Sequence, residues 1–210
     1  MNDKMTDWPE IFFARHGETE WNRQRRYQGT MDIPLNDAGR AQALASGPLL
    51  KQMLAQHNID PAGIGWYVSP LGRAVETMNL MRAAFDGELP EVTMDKRLAE
   101  ISFGALEGKL QKELPPELAL PPGEREADYW FHRPPDGENY SDLGRRVLPF
   151  LHELNGTSII VAHGGIMRLL RHLLENVSHK DAVNWFPPQG CVARFADHEM
   201  HLRCAGALPG

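Results

Sequence analysis

The sequence has little cysteine, no long apolar run and no surplus of basic residues. Its two cysteines are too few for a disulfide framework or a cysteine-rich zinc module, and we expect them to be reduced. No apolar stretch approaches the roughly 18 residues of a membrane helix, and residues 1–10 lack the basic-then-apolar form of a signal peptide. The 22 Lys and Arg against 28 Asp and Glu argue against broad nucleic-acid binding. These absences favour a cytoplasmic, soluble enzyme with no nucleic-acid or membrane partner.

The composition that is present is typical of one globular domain. The chain of 210 residues is 42% hydrophobic and 24% charged, which predicts a single domain over residues 1–210 with a full core. Residues 114–140 differ, because three proline pairs surround Tyr129-Trp130-Phe131. Since proline pairs disfavour regular elements, we predict a long ordered insertion there. Its aromatic side chains either pack down on the core or belong to a lid over the active site.

Short apolar segments that end in polar residues predict the strands of a sheet. Residues 11–14 run into Arg15-His16-Gly17, and residues 159–162 run into His163-Gly164-Gly165. Apolar stretches of this length are typical of strands that are buried on both faces.

A third strand is predicted at residues 66–68. It is followed by Ser69, which suits a helix N-cap, and by Pro70, which suits the first helical position. A helix should therefore run to about Phe85, with Arg73 in its first turn. Strands that alternate with helices predict an α/β fold, with a mixed, mostly parallel central sheet flanked by helices on both faces.

The remaining elements are predicted from composition and patterning. Residues 37–56 are rich in Ala, Leu and Gln and should be helical, with a break or kink at Gly47-Pro48. Residues 141–154 predict another helix, capped by its first residues. Residues 191–195 and 200–204 flank a polar turn and predict a β-hairpin.

Two histidines and two arginines are predicted to meet at one edge of the sheet. His16 and His163 each follow a strand, Arg15 precedes His16, and Arg73 lies in the helix after the third strand. Ligands of open α/β sheets collect at the carboxyl ends of strands, and arginine matches phosphate oxygens in a bidentate way. Paired histidines also bind metals, but no His-x-x-x-His with a carboxylate partner occurs at either strand end. We therefore expect a phosphoryl site with no metal and no other cofactor.

Five motifs between residues 11 and 166 combine these side chains with glycine and glutamate, and they occur in this order: Arg15-His16-Gly17-Glu18-Thr19 with Trp21-Asn22, Gln28-Gly29, Asp32, Pro34-Leu35 and Gly39; Ser69-Pro70-Leu71-x-Arg73-Ala74-x-x-Thr77; Leu98-x-Glu100-x-x-x-Gly104-x-x-Glu107-Gly108; Gly137-Glu138; and His163-Gly164-Gly165. The series resembles the histidine phosphatase superfamily, the group that includes the cofactor-dependent phosphoglycerate mutases. The resemblance implies a phosphoglycerate mutase-like fold.

The resemblance also implies a role for each of the four central residues. His16 would be the nucleophile that forms a phosphohistidine, which divides one difficult displacement into two easier ones. Arg15, Arg73 and His163 would bind the phosphoryl oxygens, with His163 better suited as a cation. Further substrate-contacting positions follow from the same motifs: Asn22, Gln28, Gly29 and Gly164.

The proton donor implied by the resemblance is Glu100. It would protonate the leaving alkoxide and later activate water. Glu18, Glu76 and Glu107 are the alternatives that the motifs leave open. We favour Glu100 because the family's proton donor occupies that place, and we expect Glu107 to serve turn geometry and a hydrogen bond.

The function implied is that of a metal-independent phosphomonoesterase acting on a small phosphorylated metabolite. The alternatives are a phosphoglycerate mutase and, less favoured, a non-catalytic phospho-ligand-binding module. Residues 28–35 resemble the phosphatase branch, and residues 101–106 contain no Arg or Lys that could bind a second acid group. The basic stretch at residues 23–26 either contacts an anionic substrate tail or is solvated, and we favour solvation. We expect no partner other than the substrate, and we allow for a homodimer.

Overall fold

The computed structural model describes residues 8–114 and 123–205, which form a six-stranded sheet with helices on both faces. The strand order is β3-β2-β4-β1-β5-β6; the first four strands of this order are mutually parallel, and β5 is antiparallel to both β1 and β6. No helix in the described ranges is long and apolar enough to cross a membrane. The strands are β1 (Ile11–Arg15), β2 (Gly65–Val68), β3 (Val92–Met94), β4 (Ser158–Ala162), β5 (Cys191–Ala196) and β6 (Glu199–Cys204).

The helices connect these strands and confirm the predicted α/β class. Five short 3₁₀ helices lie in the connections, at Pro61–Gly63, Lys96–Leu98, Gly104–Leu106, Gln111–Glu113 and Ala127–Phe131. The α-helices are α1 (Glu20–Arg23), α2 (Asp37–Gln56), α3 (Gly72–Arg82), α4 (Tyr140–His152), α5 (Gly164–Glu175) and α6 (His179–Asn184).

Alternate residues of the central strands belong to two separate cores. Phe12 of β1 and Ile159 of β4 pack with the buried residues of α2 and α3, whereas Phe13 and Ile160 pack with those of α4 and α5. Successive strand side chains point to opposite faces, so one apolar segment supplies both cores. This confirms that β1 and β4 are buried on both sides.

The start of α3 differs from the sequence expectation. The helix begins at Gly72 rather than Pro70, and Leu71 at the N-cap provides no side-chain cap. The Gly72 amide instead donates to Asp32 Oδ1 at 2.8 Å, so a carboxylate 40 residues away caps the helix. Arg73 does lie in the first turn, but the helix ends at Arg82, before Phe85.

Two other helices correct the predicted details. Helix α2 has the predicted bounds and remains one helix through Pro48, so the predicted break is wrong. A Cβ on Gly47 would lie 2.5 Å from the Met81 carbonyl oxygen, which shows how closely α2 packs on α3 at this point. Helix α4 begins at Tyr140, because Asn139 rather than the predicted Ser141 caps it and accepts from the Asp142 amide.

The predicted C-terminal hairpin is confirmed, but the expectation of two reduced cysteines is wrong. Strands β5 and β6 are joined through Asp197 and His198, both at positive φ. This two-residue connection is typical of tight hairpins, and it fixes the register of the two strands from Ala196 opposite Glu199 onward. Cys191 and Cys204 are therefore directly opposite each other, and they form a disulfide.

Trp130 anchors the described part of the insertion at residues 114–140 on the core. Trp130 is buried between Tyr140 and His179, with ring centroids 4.6 and 4.5 Å away. This favours the core-packing interpretation for Trp130, and a lid is not confirmed. Residues 115–122 of the predicted insertion lie outside the described residues.

Candidate active site

The carboxyl ends of β1 and β4 bring the two predicted histidines together. The strands are parallel neighbours, and the His16 amide continues their ladder by donating to the Ala162 carbonyl at 2.9 Å. His163 follows Ala162 directly and is the N-cap of α5. Both side chains are buried, and their ring centroids are 5.1 Å apart.

A backbone carbonyl fixes the proton of the His16 ring. Its Nδ1 lies 2.7 Å from the Gly17 carbonyl oxygen. A carbonyl oxygen can only accept, so Nδ1 carries the proton and Nε2 carries the lone pair. Gly17 has to be glycine, because a Cβ there would lie 2.2 Å from the Gly39 carbonyl oxygen. The geometry leaves Nε2 as the nucleophilic atom.

Loop carbonyls hold the two arginines beside the histidines. Arg73 donates from its two terminal nitrogens to Met31 O at 2.6 Å and Gly29 O at 2.8 Å. Arg15 donates from one terminal nitrogen to Pro187 O at 2.7 Å. The Nε atoms of Arg15 and Arg73 and the Nδ1 atom of His163 are buried without a hydrogen-bond partner among the described residues. Buried polar nitrogens of this kind suit the oxygens of a bound phosphoryl group.

A third strand end contributes Ser69 to the site. This residue was not among the predicted site residues. Ser69 Oγ lies 2.6 Å from His163 Nε2 and accepts from the Leu71 amide at 3.3 Å. The hydroxyl therefore orients the His163 ring instead of capping a helix. The rule that placed His16 at a strand end applies equally to Ser69, which directly follows β2.

Burial and mutual repulsion shift the pKa values of these groups. Burial, with the charges of Arg73 and Arg15 next in importance, holds the pKa of His16 well below its ordinary value. The pKa of His163 is lowered in the same way, by burial and then by Arg73. Burial lowers the pKa of Arg15 to about 10, although Glu100 opposes this shift. Both histidines are therefore neutral at pH 7, and the cationic form expected for His163 would need a bound anion.

The Glu100 carboxylate lies at the N-terminus of α5, where it binds backbone amides of that helix and of its own loop. Its carboxylate accepts from the Gly165 amide at 3.0 and 3.2 Å and from the Ile101 amide at 2.9 Å. A Cβ on Gly165 would come within 2.4 Å of Glu100 Oε1. Burial lowers the pKa of both Arg15 and Arg73, and the charge of Glu100 opposes this shift in each.

Glu107 connects the Glu100 loop to the loop that holds Arg73. Its carboxylate accepts from the Thr30 amide at 3.0 Å, the Phe103 amide at 3.1 Å and the Ser102 hydroxyl at 3.3 Å. A Cβ on Gly29, which has a φ of 51°, would lie 2.0 Å from Glu107 Oε1. These contacts agree with the structural role expected for Glu107.

Glu138 and Arg146 support the same loop from the other side. Glu138 accepts from the Ser102 amide at 3.0 Å and pairs with Arg146 at 2.8 Å. Arg146 also donates to the carbonyls of Arg97 and Ala99, at 2.6 and 3.0 Å. The backbone around Glu100 is thus held by charged groups from two directions.

Asn22 and Gln28 are held by a small network around Thr19. Asn22 Oδ1 accepts from the Thr19 amide at 3.1 Å and from Gln189 Nε2 at 3.0 Å. Gln28 is buried, and its Oε1 accepts from Thr19 Oγ1 at 3.0 Å. Gln189 also donates to the His16 carbonyl at 3.1 Å. Gln189 was not among the predicted site residues, and no local signal in its Pro-Pro-Gln-Gly segment indicates a role in the site.

Two of the predicted glycines lie against the arginines. The Gly29 carbonyl accepts from Arg73, and a Cβ on Gly164 would stand 3.4 Å from Arg15 Nε. Among the alternative acids, Glu18 accepts from Asn36 at 2.7 Å and Glu76 pairs with Arg40 at 2.8 Å. Both alternatives are thus occupied away from the phosphoryl cradle.

The basic stretch at residues 23–26 is engaged elsewhere. Arg23 forms an exposed ion pair with Glu20, and Arg26 donates to the Gly108 carbonyl. Across the described residues, no group of three or more His, Cys, Asp or Glu side chains is arranged to hold a metal ion.

An α/β sheet with two histidines and two arginines at its strand ends has the arrangement of a phosphoryl-transfer enzyme. The chain belongs to the histidine phosphatase superfamily, branch 1, whose family model matches residues 11–205.

Similar proteins carry both mutase and phosphatase names. Phosphoglycerate mutases dependent on 2,3-bisphosphoglycerate are 30% identical in Maricaulis maris, over 95% of this chain and 94% of the relative, and 33% identical in Methylocella silvestris, over 81% and 83%. The solved structure of a putative alpha-ribazole-5'-P phosphatase from Escherichia coli K-12 has a TM-score of 0.72 at 25% identity, with 95% and 97% of the chains covered. A phosphoglycerate mutase from Thermus thermophilus has a TM-score of 0.68 at 30% identity, with 95% and 99% covered.

Proposed function

We propose that the protein hydrolyses small phosphomonoesters through a phosphohistidine on His16, without a metal ion. The observation that carries this proposal is the cradle of Arg15, Arg73 and His163 around the free Nε2 of His16. Glu100 lies beside it and supplies an acid.

In the first step, His16 Nε2 attacks phosphorus and the ester oxygen leaves. The neutral ring is ready to attack, because its lowered pKa keeps the lone pair free at pH 7. Arg15 and Arg73 stabilise the charge on the phosphoryl oxygens, and their loop carbonyls hold them in place before the ester arrives. His163 gains a proton more readily once the dianion is bound.

In the second step, water replaces the histidine. Glu100 takes up the proton of a monoanionic ester as it binds and passes it to the leaving alkoxide in the first step; in the second step it accepts a proton from the attacking water and passes it to the departing phosphate, which returns Glu100 to the carboxylate. The products are the alcohol and inorganic phosphate, and His16 is regenerated. General acid–base catalysis of this kind contributes roughly 10²- to 10⁴-fold to the rate.

The surroundings of Glu100 support hydrolysis over mutase activity. A mutase has to hold a second acid group while the phosphoryl group is on the histidine. Residues 101–106, which directly follow Glu100, contain no Arg or Lys for this purpose. The cavity that Ile101 lines, one residue after Glu100, has several aromatic and aliphatic side chains in its wall, together with Arg125, His132, Glu138 and Arg168: Tyr27, Ile101, Phe103, Leu106, Tyr129, Pro134 and Tyr140.

A phosphoglycerate mutase is the second candidate, and two observations favour it. The curated relatives described above bear that name. Arg125 and Arg168 also line the cavity beside Glu100, where the second acid group of a bisphosphoglycerate would need cations.

We propose the cytoplasm as the site of action, since small charged phosphomonoesters are retained there. The Cys191–Cys204 disulfide provides a check, because disulfides are rare in that compartment. Fractionation of intact cells should recover the protein with the cytoplasmic enzymes; recovery from an oxidising compartment would contradict this location.

The nucleophile is tested by His16→Ala. Turnover should fall by at least about 10⁴-fold, because removing a nucleophile abolishes the covalent route. Wild type quenched during turnover should contain an acid-labile, base-stable phosphoprotein that His16→Ala lacks. His201→Ala is the matched control, because this histidine is exposed on β6. Unimpaired hydrolysis by folded His16→Ala protein would exclude the mechanism.

A further inference from the structure

Two residues with exposed apolar side chains contact the arginines of the phosphoryl cradle, one through its ring and one through its backbone carbonyl. Phe186 is 63% exposed, and the Arg15 guanidinium lies over its ring, 5.5 Å from the centroid. Met31 is 47% exposed, and its own carbonyl accepts from Arg73. The two residues belong to separate loops, one before α2 and one after α6.

We propose that Met31 and Phe186 form an apolar rim that selects phosphomonoesters with a planar aromatic group on the leaving alcohol. This inference rests on the proposed phosphatase function and specifies its substrate class. A phosphoryl group in contact with both Arg15 and Arg73 lies between the two loops. The proposal places the leaving group against one or both of these side chains, since both loops border the arginines that hold the phosphoryl group.

Exposed apolar residues are ordinary when they are scattered singly. Met94 and Phe131, 57% and 56% exposed, are examples on β3 and on the insertion. Met31 and Phe186 differ from them because each contacts, through ring or backbone, an arginine that the substrate would occupy. The chain therefore contains a matched pair of the same residue types at comparable exposure away from the site.

The chemistry of the rim favours an aromatic group over an aliphatic one. The exposed Phe186 ring can stack on a planar ring with a gain beyond the buried area. The Met31 thioether also makes favourable contacts with aromatic rings. An aliphatic group of the same size would gain binding free energy only from the burial of its apolar surface.

The test compares adenosine 5'-monophosphate with methyl β-ribofuranoside 5-phosphate. Both esters release a primary alkoxide on C5 of a ribose, so their leaving groups have nearly the same reactivity. They differ mainly in the planar base. We expect kcat/KM to favour the nucleotide by about fivefold or more in wild type, since stacking of a base on an aromatic side chain typically contributes at least that factor. Phe186→Ala and Met31→Ala should each reduce this preference, and the loss should fall mainly on the nucleotide.

Phe131→Ala and Met94→Ala are the matched controls, and they should keep the wild-type preference. A second comparison uses benzyl phosphate and cyclohexylmethyl phosphate, which separate planarity from simple apolarity. Equal use of that second pair would overturn the aromatic selection.

Two results separate failure of the rim from failure of the enzyme assignment. If wild type hydrolyses the nucleotide and the riboside equally well, the rim does not select and the phosphatase proposal stands. Equal losses for both esters in Phe186→Ala would mean that the ring supports Arg15, which also overturns the selection. If wild type hydrolyses none of the four esters and not even para-nitrophenyl phosphate, the proposed function itself is wrong.

Discussion

Hydrogen bonds to single atoms determine what each residue of the cradle can do. The Gly17 carbonyl holds the proton of His16 on Nδ1, and the Gly165 amide holds the Glu100 carboxylate beside the cradle. His16, which is neutral at pH 7, attacks phosphorus, and Glu100 on a separate loop transfers the proton. Each role can be tested by changing one residue.

Changing Glu100 should affect poor leaving groups most. We expect Glu100→Gln to lower kcat/KM for an alkyl phosphate by roughly 10²- to 10⁴-fold, because the alkoxide needs a proton as the bond breaks. An aryl ester such as para-nitrophenyl phosphate should lose much less in the phosphorylation step. Single-turnover kinetics with both esters measure the difference. Equal losses would assign the acid role to another residue.

The buried histidines should also make the fold sensitive to acid. Burial lowers the pKa of His16 and His163 below the value of about 6.5 that they have in the unfolded chain. The unfolded state therefore binds more protons below that pH, so the free energy of unfolding falls as the pH drops. The slope should reach about 1.4 kcal/mol per pH unit for each histidine.

Urea unfolding at several pH values between 5 and 8 measures this slope. His163→Gln should flatten it, because this variant removes one of the two buried histidines. Saturating inorganic phosphate should reduce the loss, since a bound anion favours the charged ring. A slope that His163→Gln does not alter would contradict the neutral assignment.

At the scale of elements, a carboxylate reinforces the junction between two active-site loops, which are also joined by backbone hydrogen bonds and by the packing of Tyr27 on Phe103. Glu107 links the Phe103 amide, on the Glu100 side, to the Thr30 amide, next to the carbonyls that hold Arg73. A residue in this position acts by fixing distances between catalytic groups, and an error of about 1 Å costs up to roughly 100-fold in rate.

We expect Glu107→Ala to lower kcat/KM by roughly tenfold or more for aryl and alkyl esters alike, because both loops lose a shared anchor. Glu107→Gln keeps an acceptor at the same place and should recover most of the activity. Steady-state kinetics with both esters, and thermal unfolding of each variant, make the comparison. A loss confined to alkyl esters would instead indicate that Glu107 is the proton donor.

Local signals predicted the elements well where the controlling contacts are local. The apolar runs before His16 and His163 identified two central strands, and the composition of residues 37–56 gave both bounds of α2. The break predicted at Pro48 was wrong because α2 is held by packing on α3, which the neighbouring glycine allows.

Long-range contacts explain most of the remaining errors. The start of α3 depends on Asp32, and Ser69 serves His163, so neither could be recognised from the helix's own sequence. The disulfide is different, because the register of a two-residue turn at Asp197-His198 already pairs Cys191 with Cys204. For the candidate site, the residues at strand ends were found from sequence, whereas Gln189 becomes evident only in the fold.

At the scale of the whole molecule, a cationic cradle lies inside an acidic protein. The net charge is −6, yet Arg73 and the two histidines are buried together at the carboxyl ends of the central strands. A surface of this charge repels polyanions, whereas a small phosphomonoester enters and is held by a few close contacts. The arrangement therefore suits a metabolite and leaves open what happens to the phosphoryl group after it reaches His16.

Hydrolysis and mutase activity differ in the fate of that group. A mutase returns it to the substrate and has to bind a second acid group meanwhile, whereas residues 101–106, which directly follow Glu100, contain no Arg or Lys. We expect inorganic phosphate to be released from 3-phosphoglycerate or another monoester without 2,3-bisphosphoglycerate. Conversion of 3- to 2-phosphoglycerate should be at least about tenfold slower than phosphate release, even with that primer, because uncompensated binding of the second acid group raises the barrier. Phosphorus NMR follows both products in one sample, with His16→Ala as the blank. Fast, primer-dependent conversion with little free phosphate would assign the chain to the mutases, and Arg125→Ala should then abolish it.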